Sequence, residues 1–437
     1  MHKRNDGRPG YKKSKVGWIP EEWEIRDLLH VADYVDYRGK TPTKSEAGVF
    51  LLTAKNIQMG YIDYESSKEY IPESSYENVM SRGTPEIGDI VITTEAPLGN
   101  VAQIDNCNIA IAQRVIKYRT KLNILISDYF KYYLLSPMFQ RILSFNSTGS
   151  TVKGIKGSRL HKLPAILPPL AEQKKIAEIL SAWDRAIEQT RNLIDAKQRL
   201  KKGLMQQLLT GRMQFPEFGK PVKKKNQDYR ETKLGFLPND WDVKSLGMIG
   251  SFSKGRGISN SEKMESGLPC ITYGEIYTKY DFVINEFKSF INDITAQESQ
   301  RIYNNDILFA GSGETLDDIG KCVAYNQDKV AYAGGDIIIH RPKNVNSTYL
   351  SYSLNSGFIV RYRRKLGQGH SVVHIYSSGL NSLLIPIPPL PEQKRIAQIL
   401  TTCDNQINIL QQKEALLLQQ KKGLMQKLLT GEVRVKA

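Results

Sequence analysis

Two stretches of the sequence carry basic side chains but no acidic ones. The first runs from Tyr129 to Ala171 and the second from Ile337 to Pro391. Each contains a loop rich in glycine and hydroxyl side chains, where small residues let a backbone approach a phosphate closely. A solvated surface normally mixes both signs of charge, so the pattern favours phosphate contact over an ordinary flexible loop. The predicted phosphate-binding residues are Lys153, Lys156, Arg159, Arg361, Arg363, Arg364, Gln368 and His370.

Loops earlier in each half of the chain carry side chains suited to the edges of bases. The string YRGKTPT corresponds to SKGRGIS, and AKNIQ corresponds to YGEIY. Arginine and lysine pair with guanine, asparagine with adenine and glutamate with cytosine. The predicted base-reading residues are Arg38, Lys40, Lys55, Asn56, Lys254, Arg256, Tyr273 and Glu275.

Patterns that could support catalysis are incomplete. Gly311 and Gly313 fit the first motif of S-adenosylmethionine-dependent methyltransferases, but the chain has no Asn-Pro dipeptide to hold a target base. The string GETLDDIGKC fails the spacing of a phosphate-binding P-loop, and the six histidines show no metal-ligand spacing. We therefore expect no catalytic residue, metal or cofactor in this chain. A stand-alone DNA methyltransferase or nicking enzyme that uses Gly311 and Gly313 is the alternative.

An internal repeat determines the organisation of the chain. Residues 168–211 and 388–431 are identical at 22 of 44 aligned positions. A shorter pattern, YKKSKVGWIPEEW from Tyr11, recurs as YRETKLGFLPNDW from Tyr229. Two divergent segments rich in short β-type runs lie between these matches. The matching segments are 220 residues apart. This repeat period is too long for the unit of a solenoid, so each copy must bury a core of its own.

The matching segments have the heptad pattern of long amphipathic helices. About 40 helical residues at ~1.5 Å each span roughly 60 Å, so the other copy is the expected partner of each helix. Packing of each helix on its own globule is the alternative. The predicted coiled-coil seam contains Ile176, Leu180, Ile187, Leu204, Ile396, Leu400, Ile407 and Leu424.

Identical polar residues at the helix ends suggest that one kind of partner protein binds twice. A helix held only by its seam would not need matching residues on its surface. The predicted subunit-docking residues are Glu172, Gln173, Lys174, Lys201, Lys202, Gln206, Glu392, Gln393, Lys394, Lys421, Lys422 and Gln426.

The composition agrees with a basic globular protein. The 437 residues carry a net charge of +16, divided equally between the two halves, and the sequence pI is about 9.4. Such a surplus suggests a polyanionic partner, of which nucleic acid is the commonest. We expect a cytoplasmic protein, because the sequence shows no signal peptide and no membrane-spanning run.

Taken together, the repeated motifs resemble those of the specificity subunit of type I restriction-modification enzymes. The resemblance rests on G-W-I-P-x-x-W at Gly17, G-F-L-P-x-x-W at Gly235, P-P-L-x-E-Q at Pro168 and Pro388, and K-K-G-L-M-Q-x-L-L-T-G at Lys201 and Lys421. It implies an α+β fold, a pseudo-twofold tandem duplication in which a pair of long antiparallel coiled-coil helices separates two similar target recognition domains.

The resemblance also implies a set of partners. Double-stranded DNA with a bipartite site would bind the recognition domains. The helical regions would dock two modification (methyltransferase) subunits, and restriction subunits would be added for cleavage. S-adenosylmethionine, ATP and Mg would belong to those subunits. A purely structural coiled-coil scaffold is a third possibility. The expected segments are an N-terminal tail (1–17), recognition domains (18–163 and 236–383), helical regions (164–215 and 384–431), a basic linker (216–235) and a C-terminal tail (432–437).

Overall fold

A computed structural model describes residues 9–37, 41–217, 229–316, 318–369 and 373–436. The chain divides into two compact units. Unit 1 comprises residues 1–191 and 412–437, and unit 2 comprises residues 192–411. Both long helices contribute residues to both units. Each unit therefore contains one globule, the first half of the helix that follows this globule, and the last half of the other helix.

The globule of unit 1 mixes short strands with short helices. Its strands are β1 (Tyr11–Ser14), β2 (Gly17–Pro20), β3 (Glu24–Asp27), β4 (Ala32–Asp36), β5 (Val49–Leu52), β6 (Tyr70–Ile71), β7 (Ile90–Thr94), β8 (Leu98–Gln103), β9 (Ile109–Ile111), β10 (Val115–Thr120) and β11 (Pro164–Leu167). Its helices are α1 (Leu28–Val31), α2 (Tyr76–Val79), α3 (Ser127–Leu135), α4 (Pro137–Phe145) and α5 (Gly157–Leu160). A long helix, α6 (Leu170–Leu208), follows. The sheets have the orders β4-β10-β7-β8, β6-β5-β9, β1-β2 and β11-β3.

Unit 2 repeats this arrangement. Its strands are β12 (Tyr229–Thr232), β13 (Gly235–Pro238), β14 (Asp242–Ser245), β15 (Gly250–Lys254), β16 (Leu268–Ile271), β17 (Ser289–Ile291), β18 (Gln300–Ile302), β19 (Asp306–Ala310), β20 (Ser312–Gly313), β21 (Cys322–Tyr325), β22 (Ala331–Ala333), β23 (Ile337–Pro342), β24 (Val373–His374) and β25 (Leu384–Ile387). Its helices are α7 (Leu246–Ile249), α8 (Tyr273–Thr278), α9 (Asp293–Glu298), α10 (Ser347–Leu354), α11 (Gly357–Arg363) and α12 (Ser377–Asn381), followed by the second long helix, α13 (Leu390–Leu429).

The sheet orders of unit 2 match those of unit 1. The order β15-β23-β19-β21 corresponds to β4-β10-β7-β8, and β17-β16-β22-β18 is a second mixed sheet. The apolar runs GDIVIT and NDILFA become β7 and β19, which lie inside these sheets and are buried along their whole length. This agrees with the prediction of two mixed α and β globules with a common fold.

Each globule begins with a hairpin that receives the end of a long helix. In unit 1, the Tyr11 hydroxyl donates a hydrogen bond to the Gly431 carbonyl over 2.7 Å. In unit 2, Tyr229 donates to the Gly211 carbonyl over the same distance. The repeated tyrosine and the glycine that ends each helix are therefore parts of one contact, which joins a hairpin to a helix end.

The two long helices pair in antiparallel fashion. In unit 1, Ile176 and Leu180 of α6 share a buried cluster with Met425 and Leu428 of α13. In unit 2, the end of α6 near Leu208 shares a cluster with the start of α13. The start of one helix thus lies beside the end of the other in each unit. The same clusters include residues of the globules, so each helix packs on its own globule as well as on the other helix.

The predicted seam residues lie in these interfaces. The structure buries Ile176, Leu180, Ile187, Ile396, Leu400 and Ile407. It buries Leu204 and Leu424 in part. Three ion pairs cross between the helices: Arg191 with Glu414, Lys421 with Asp184, and Lys201 with Asp404. The first two pairs lie in unit 1, and their residue numbers have the same sum, so they agree on one antiparallel register of the helices in that unit.

Three of the expected segment boundaries are wrong. Residues 11–14, placed in an N-terminal tail, form β1 and pair with β2. Residues 229–232, placed in the linker, form β12 and pair with β13. Arg434, placed in the C-terminal tail, bonds to Glu22 and Glu172 in unit 1. These segments belong to the globules because they close the hairpin at the end of each helix.

The glycine after each long helix should be essential for stability. Gly211 has a φ of +67°, and a Cβ there would lie 2.4 Å from Pro238 Cδ. Gly211→Ala should therefore lower the free energy of unfolding by about 2–4 kcal/mol, through left-handed strain and overpacking. Urea denaturation followed by tryptophan fluorescence measures this change.

Gly203 provides the matched control. It lies inside α6, and apart from its chain neighbours and the backbone of its own helix, no described atom would come within 4 Å of its Cβ. Gly203→Ala should stabilise the chain by up to about 1 kcal/mol, because alanine favours a helix. Equal effects of the two substitutions would contradict the packing described for Gly211.

Candidate nucleic-acid interface and helix anchors

A buried carboxylate fixes the start of each long helix. Glu172, in the first turn of α6, accepts a hydrogen bond over 3.0 Å from the indole Nε1 of Trp23. Arg434 donates to both oxygens of this carboxylate, over 2.8 and 3.0 Å, and also to Glu22. A buried charge is tolerated when it is paired and hydrogen-bonded. Glu172 therefore holds the helix to the globule of unit 1.

Unit 2 has the same tryptophan contact but lacks the arginine. Trp241 Nε1 donates to Glu392 over 3.0 Å. Gln214 stands where unit 1 has Arg434, and it donates to Asp240 instead. The second oxygen of Glu392 is buried and accepts no hydrogen bond from any described residue. Burial raises the pKa of this carboxyl from its ordinary 4.5 to about 7. The hydrogen bond from Trp241 lowers this pKa, and the negative charge of the nearby Asp240 raises it further.

The neighbouring glutamine is also an internal contact. The side chain of Gln173 accepts from the Ile126 amide and donates to the carbonyls of Ile124 and Pro168. Gln393 makes the corresponding bonds with the Asn346 amide and the Pro388 carbonyl. Both side chains therefore tie a helix start to a loop of its own globule.

These contacts correct the predicted docking surface. Glu172, Gln173, Glu392 and Gln393 are buried, so the prediction that they dock a partner is wrong. They recur in both copies because each anchors a helix to a globule within this chain.

The first lysine of each K-K-G-L-M-Q segment also points inward. Lys421 pairs with Asp184, and the Tyr132 hydroxyl donates to the same carboxylate over 2.6 Å. Lys201 pairs with Asp404 and lies 4.1 Å from the ring centre of Phe282. Their pairing within each unit explains their recurrence without a partner, and it corrects their assignment to the docking surface.

The remaining docking candidates stay on the surface. They are Lys174, Lys202, Gln206, Lys394, Lys422 and Gln426, all of which are exposed. Between them lie Gly203 and Gly423, near which no described atom would contact a Cβ. A glycine inside a helix costs about 1 kcal/mol relative to alanine. The structure thus gives this repeated glycine no internal role.

Three loops converge at one end of the interior strands β7 and β10 of the four-stranded sheet in unit 1. The Thr94 amide donates to the Arg114 carbonyl over 2.9 Å, and the Ile155 amide donates to the Thr94 carbonyl over 3.0 Å. Glu95 and Gly154 form an isolated bridge beside these bonds. The turn after β7, the start of β10 and the loop before α5 are therefore fixed together; we call this the loop junction of unit 1.

Unit 2 forms the same junction from corresponding residues. Gly311 donates to the Asp336 carbonyl over 2.7 Å, and Ile375 donates to the Gly311 carbonyl over 2.9 Å. Strands β20 and β24 pair beside them. The backbone frame of the loop junction is thus shared, whereas its side chains differ.

Exposed cations border the junction in unit 1. Lys153 and Lys156 lie in the loop before α5, and Arg159 lies in α5. All three side chains are exposed. In unit 2, Arg361, Arg364 and Gln368 are exposed, and His370 lies outside the described residues. These residues remain predictions for phosphate contact.

Arg363 is not available for phosphate contact. It is buried, and its guanidinium donates to the Leu354 carbonyl and the Asn355 side chain. Burial lowers the pKa of this guanidinium from its ordinary value. The corresponding residue of unit 1 is Leu143, which is also buried. The prediction for Arg363 is wrong because this position faces the core in both units.

Two of the predicted base-reading residues are structural. Asn56 is buried, and its amide bonds to Thr53, Asp63 and Ser67. Glu275 is buried and caps α8 through Thr272. Both predictions are wrong, because these side chains have internal hydrogen-bond partners.

The other base-reading candidates have mixed positions. Arg38 and Lys40 lie outside the described residues. Lys55, Lys254 and Tyr273 are exposed. Arg256 is exposed, although its Nε donates to the Glu298 carbonyl over 2.7 Å.

The two glycines of the enzyme alternative are explained by close packing. A Cβ on Gly311 would lie 2.8 Å from the Asp336 carbonyl oxygen, and one on Gly313 would lie 2.8 Å from the Tyr277 hydroxyl. Protein atoms therefore occupy the space beside both glycines.

Among the described residues, no group of three or more histidine, cysteine or acidic side chains could hold a metal ion. The described helices include none suited to spanning a bilayer.

Comparisons with known proteins agree with a duplicated architecture. The profile of the type I restriction modification DNA specificity domain matches residues 20–196 and 238–419. The chain is 28% identical to the putative type I restriction enzyme MjaX specificity subunit of Methanocaldococcus jannaschii, covering 98% of this chain and 97% of the relative. It is 25% identical to the MjaVIII specificity subunit of the same organism, covering 96% and 94%.

Solved structures show the same fold. The crystal structure of a type I restriction-modification system S subunit from M. genitalium superposes with a TM-score of 0.59 at 15% identity, covering 93% of this chain and 96% of that one. A structure from a study of complex assembly in the type I R-M system gives 0.54 at 17% identity, covering 95% and 99%.

The buried carboxyl of Glu392, in which one oxygen has no hydrogen-bond partner among the described residues, should make stability depend on pH. Between pH 4.5 and 7 the Glu392 carboxyl binds its proton more tightly in the folded chain than in the unfolded chain, because folding raises the pKa of this carboxyl. The stability of unit 2 should therefore fall as the pH rises through this range. Gln214→Arg should remove much of the fall by supplying the cation that Arg434 provides in unit 1.

Thermal unfolding measured from pH 4.5 to 8 tests this expectation. Glu392→Gln is the control, since it removes the titrating group. If the wild-type chain and Glu392→Gln depend on pH identically, the raised pKa is not a source of the dependence.

Proposed function

The chain belongs to the family of type I restriction modification DNA specificity domains and carries this domain twice; we propose that it selects the DNA sequence on which a type I restriction-modification complex acts. The observation that carries the proposal is a backbone frame repeated in two units whose exposed loops differ. Two such globules would read two different half-sites. The target would therefore be bipartite, with unequal halves on either side of a nonspecific spacer.

The charge distribution supports DNA as the ligand. Exposed lysine and arginine side chains border the loop junction of unit 1, in a stretch without acidic residues. Contacts to phosphates supply affinity and position a protein on the duplex, whereas contacts to base edges supply specificity. Lys153, Lys156 and Arg159 would hold the backbone, and side chains of the junction would face the bases.

The surface of the long helices supports docking of the same partner at two places. Lys202, Gly203 and Gln206 recur as Lys422, Gly423 and Gln426, and they are not explained by contacts between the described residues. A glycine at the centre of such a surface lets another helix approach closely. We propose that each copy docks one modification subunit. Catalysis, S-adenosylmethionine, ATP and Mg would belong to the modification and restriction subunits.

Mapping of modified bases tests the proposed function. The chain is expressed with the modification subunits of its own system in a host without DNA methylation, and methylated bases are mapped by sequencing. We expect a single motif with two unequal halves and a fixed spacer. Methylation without a motif, or at one uninterrupted motif, would overturn the proposal.

Substitution of the repeated glycine tests the docking surface. Gly423→Gln should leave the free chain as stable or more stable, because glutamine favours a helix over glycine. It should block one of the two proposed docking places, so that native mass spectrometry finds one modification subunit per chain. Arg199→Ala, an exposed substitution on α6 outside the repeated motif, is the control and should leave two. Two bound subunits with Gly423→Gln would refute this surface.

A further inference from the structure

The loop junctions of the two units carry opposite charges on one backbone frame. Arg114 in unit 1 and Asp336 in unit 2 occupy the same place, immediately before the interior strand β10 or β23 of the four-stranded sheet. Both residues are exposed, and both have a positive φ, +72° for Arg114 and +59° for Asp336. Their carbonyls accept the corresponding hydrogen bonds from Thr94 and Gly311. The frame thus holds a side chain at one fixed place, whatever its charge.

The surroundings of this position also differ between the units. In unit 1, Arg114 Nε pairs with Glu95 Oε1 over 2.8 Å, and about half of each side chain is exposed. This pairing uses one edge of the guanidinium and leaves its terminal nitrogens for another acceptor. An arginine presented in this way suits the two acceptors of guanine in the major groove.

In unit 2, the junction opens into a cavity of about 320 Å³. Asp336, Lys254, Ser312, His374 and Tyr376 contribute to its lining. Ser312 and His374 are hydrogen-bonded to each other over 3.0 Å, and Tyr376 is exposed. The cavity therefore combines an exposed carboxylate, a cation and an aromatic ring.

A carboxylate here suggests contact with bases rather than with phosphates. The Asp336 carboxylate would be repelled by phosphates, but it can accept a hydrogen bond from the amino group of cytosine. Lys254, on the wall of the same cavity, offers the positive charge that a neighbouring phosphate requires. Unit 1 also places a cation for the phosphate beside the residue that would contact a base, because Lys153 directly precedes Gly154, which bridges to Glu95 in the loop junction.

Resting on the proposed function, we infer that Arg114 and Asp336 are corresponding specificity residues of the two half-sites. Arg114 reads a guanine in the half-site of unit 1, and Asp336 reads a cytosine in the half-site of unit 2. Divergence of the side chains on a shared backbone frame lets each unit change its base preference without altering its fold.

Base mapping with substituted chains tests this inference. Each chain is expressed with its modification subunits, and methylated sites are mapped as for the wild type. Arg114→Gln should reduce the preference for guanine at one position of one half-site by about 10- to 100-fold, since a good bidentate contact discriminates by that amount. Asp336→Asn should reduce the preference for cytosine at one position of the other half-site. Each substitution should leave the opposite half-site unchanged.

Matched controls separate base reading from loss of charge. Arg141→Gln and Asp328→Asn alter exposed residues of the same globules that make none of the hydrogen bonds of the junctions, and both should leave the motif intact. Arg114→Lys should retain guanine, because lysine also donates to its acceptors. If the complex with Arg114→Gln methylates no site, the complex with Arg114→Lys provides the test. Retention of the guanine preference by Arg114→Lys would support the inference, and loss of all methylation would overturn it.

The outcomes distinguish this inference from the proposed function. Absence of a bipartite motif with the wild-type chain would overturn the proposed function. A wild-type bipartite motif that Arg114→Gln and Asp336→Asn leave unchanged would overturn only the assignment of these two residues.

Discussion

A buried carboxylate in the first turn of each long helix joins that helix to the globule and the hairpin of its unit. It binds the indole of a tryptophan that follows the first hairpin, Trp23 for Glu172 and Trp241 for Glu392. Leaving a buried carboxylate without partners is costly, so the helix start, the tryptophan and the hairpin must form together. The hairpin in turn receives the end of the other long helix. Each globule is thereby fixed to one helix start and one helix end, and its exposed loops take no part in this contact.

This separation of frame and loops accounts for the pattern of similarity within the chain. Residues that match between the copies include those that anchor helices or pair across them, such as Gln173 with Gln393 and Lys201 with Lys421. Residues of the loop junctions are held by backbone hydrogen bonds instead, which tolerate any side chain that can adopt the local conformation. Arg114 and Asp336 can therefore differ in charge on the same frame. Recognition can diverge in the two units while their packing stays the same.

The sequence was sufficient to predict the duplication, the two mixed globules and the heptad seams, because these features follow from periodicity and local propensity. Burial of individual polar residues could not be predicted in this way. Glu172 and Gln173 follow a Pro-Pro pair at the start of a polar helix face, and only the fold shows that a tryptophan and a distant loop cover them. Arg363 lies in an otherwise basic stretch, and its alignment with Leu143 was the one signal that it faces the core. The loop junction joins residues near positions 94, 114 and 155, and neither pattern nor spacing brings these together.

Exchange of one globule determines whether a fixed frame carries interchangeable recognition globules. Residues 250–383 are replaced by residues 32–163, while both tryptophan hairpins and both long helices are retained. The modified sites of the resulting complex are then mapped. We expect a site in which the half-site of unit 1 occurs twice as an inverted repeat, with the wild-type spacer, since symmetry of the protein is mirrored in its target. Retention of the second wild-type half-site, or a change of spacer length, would contradict it.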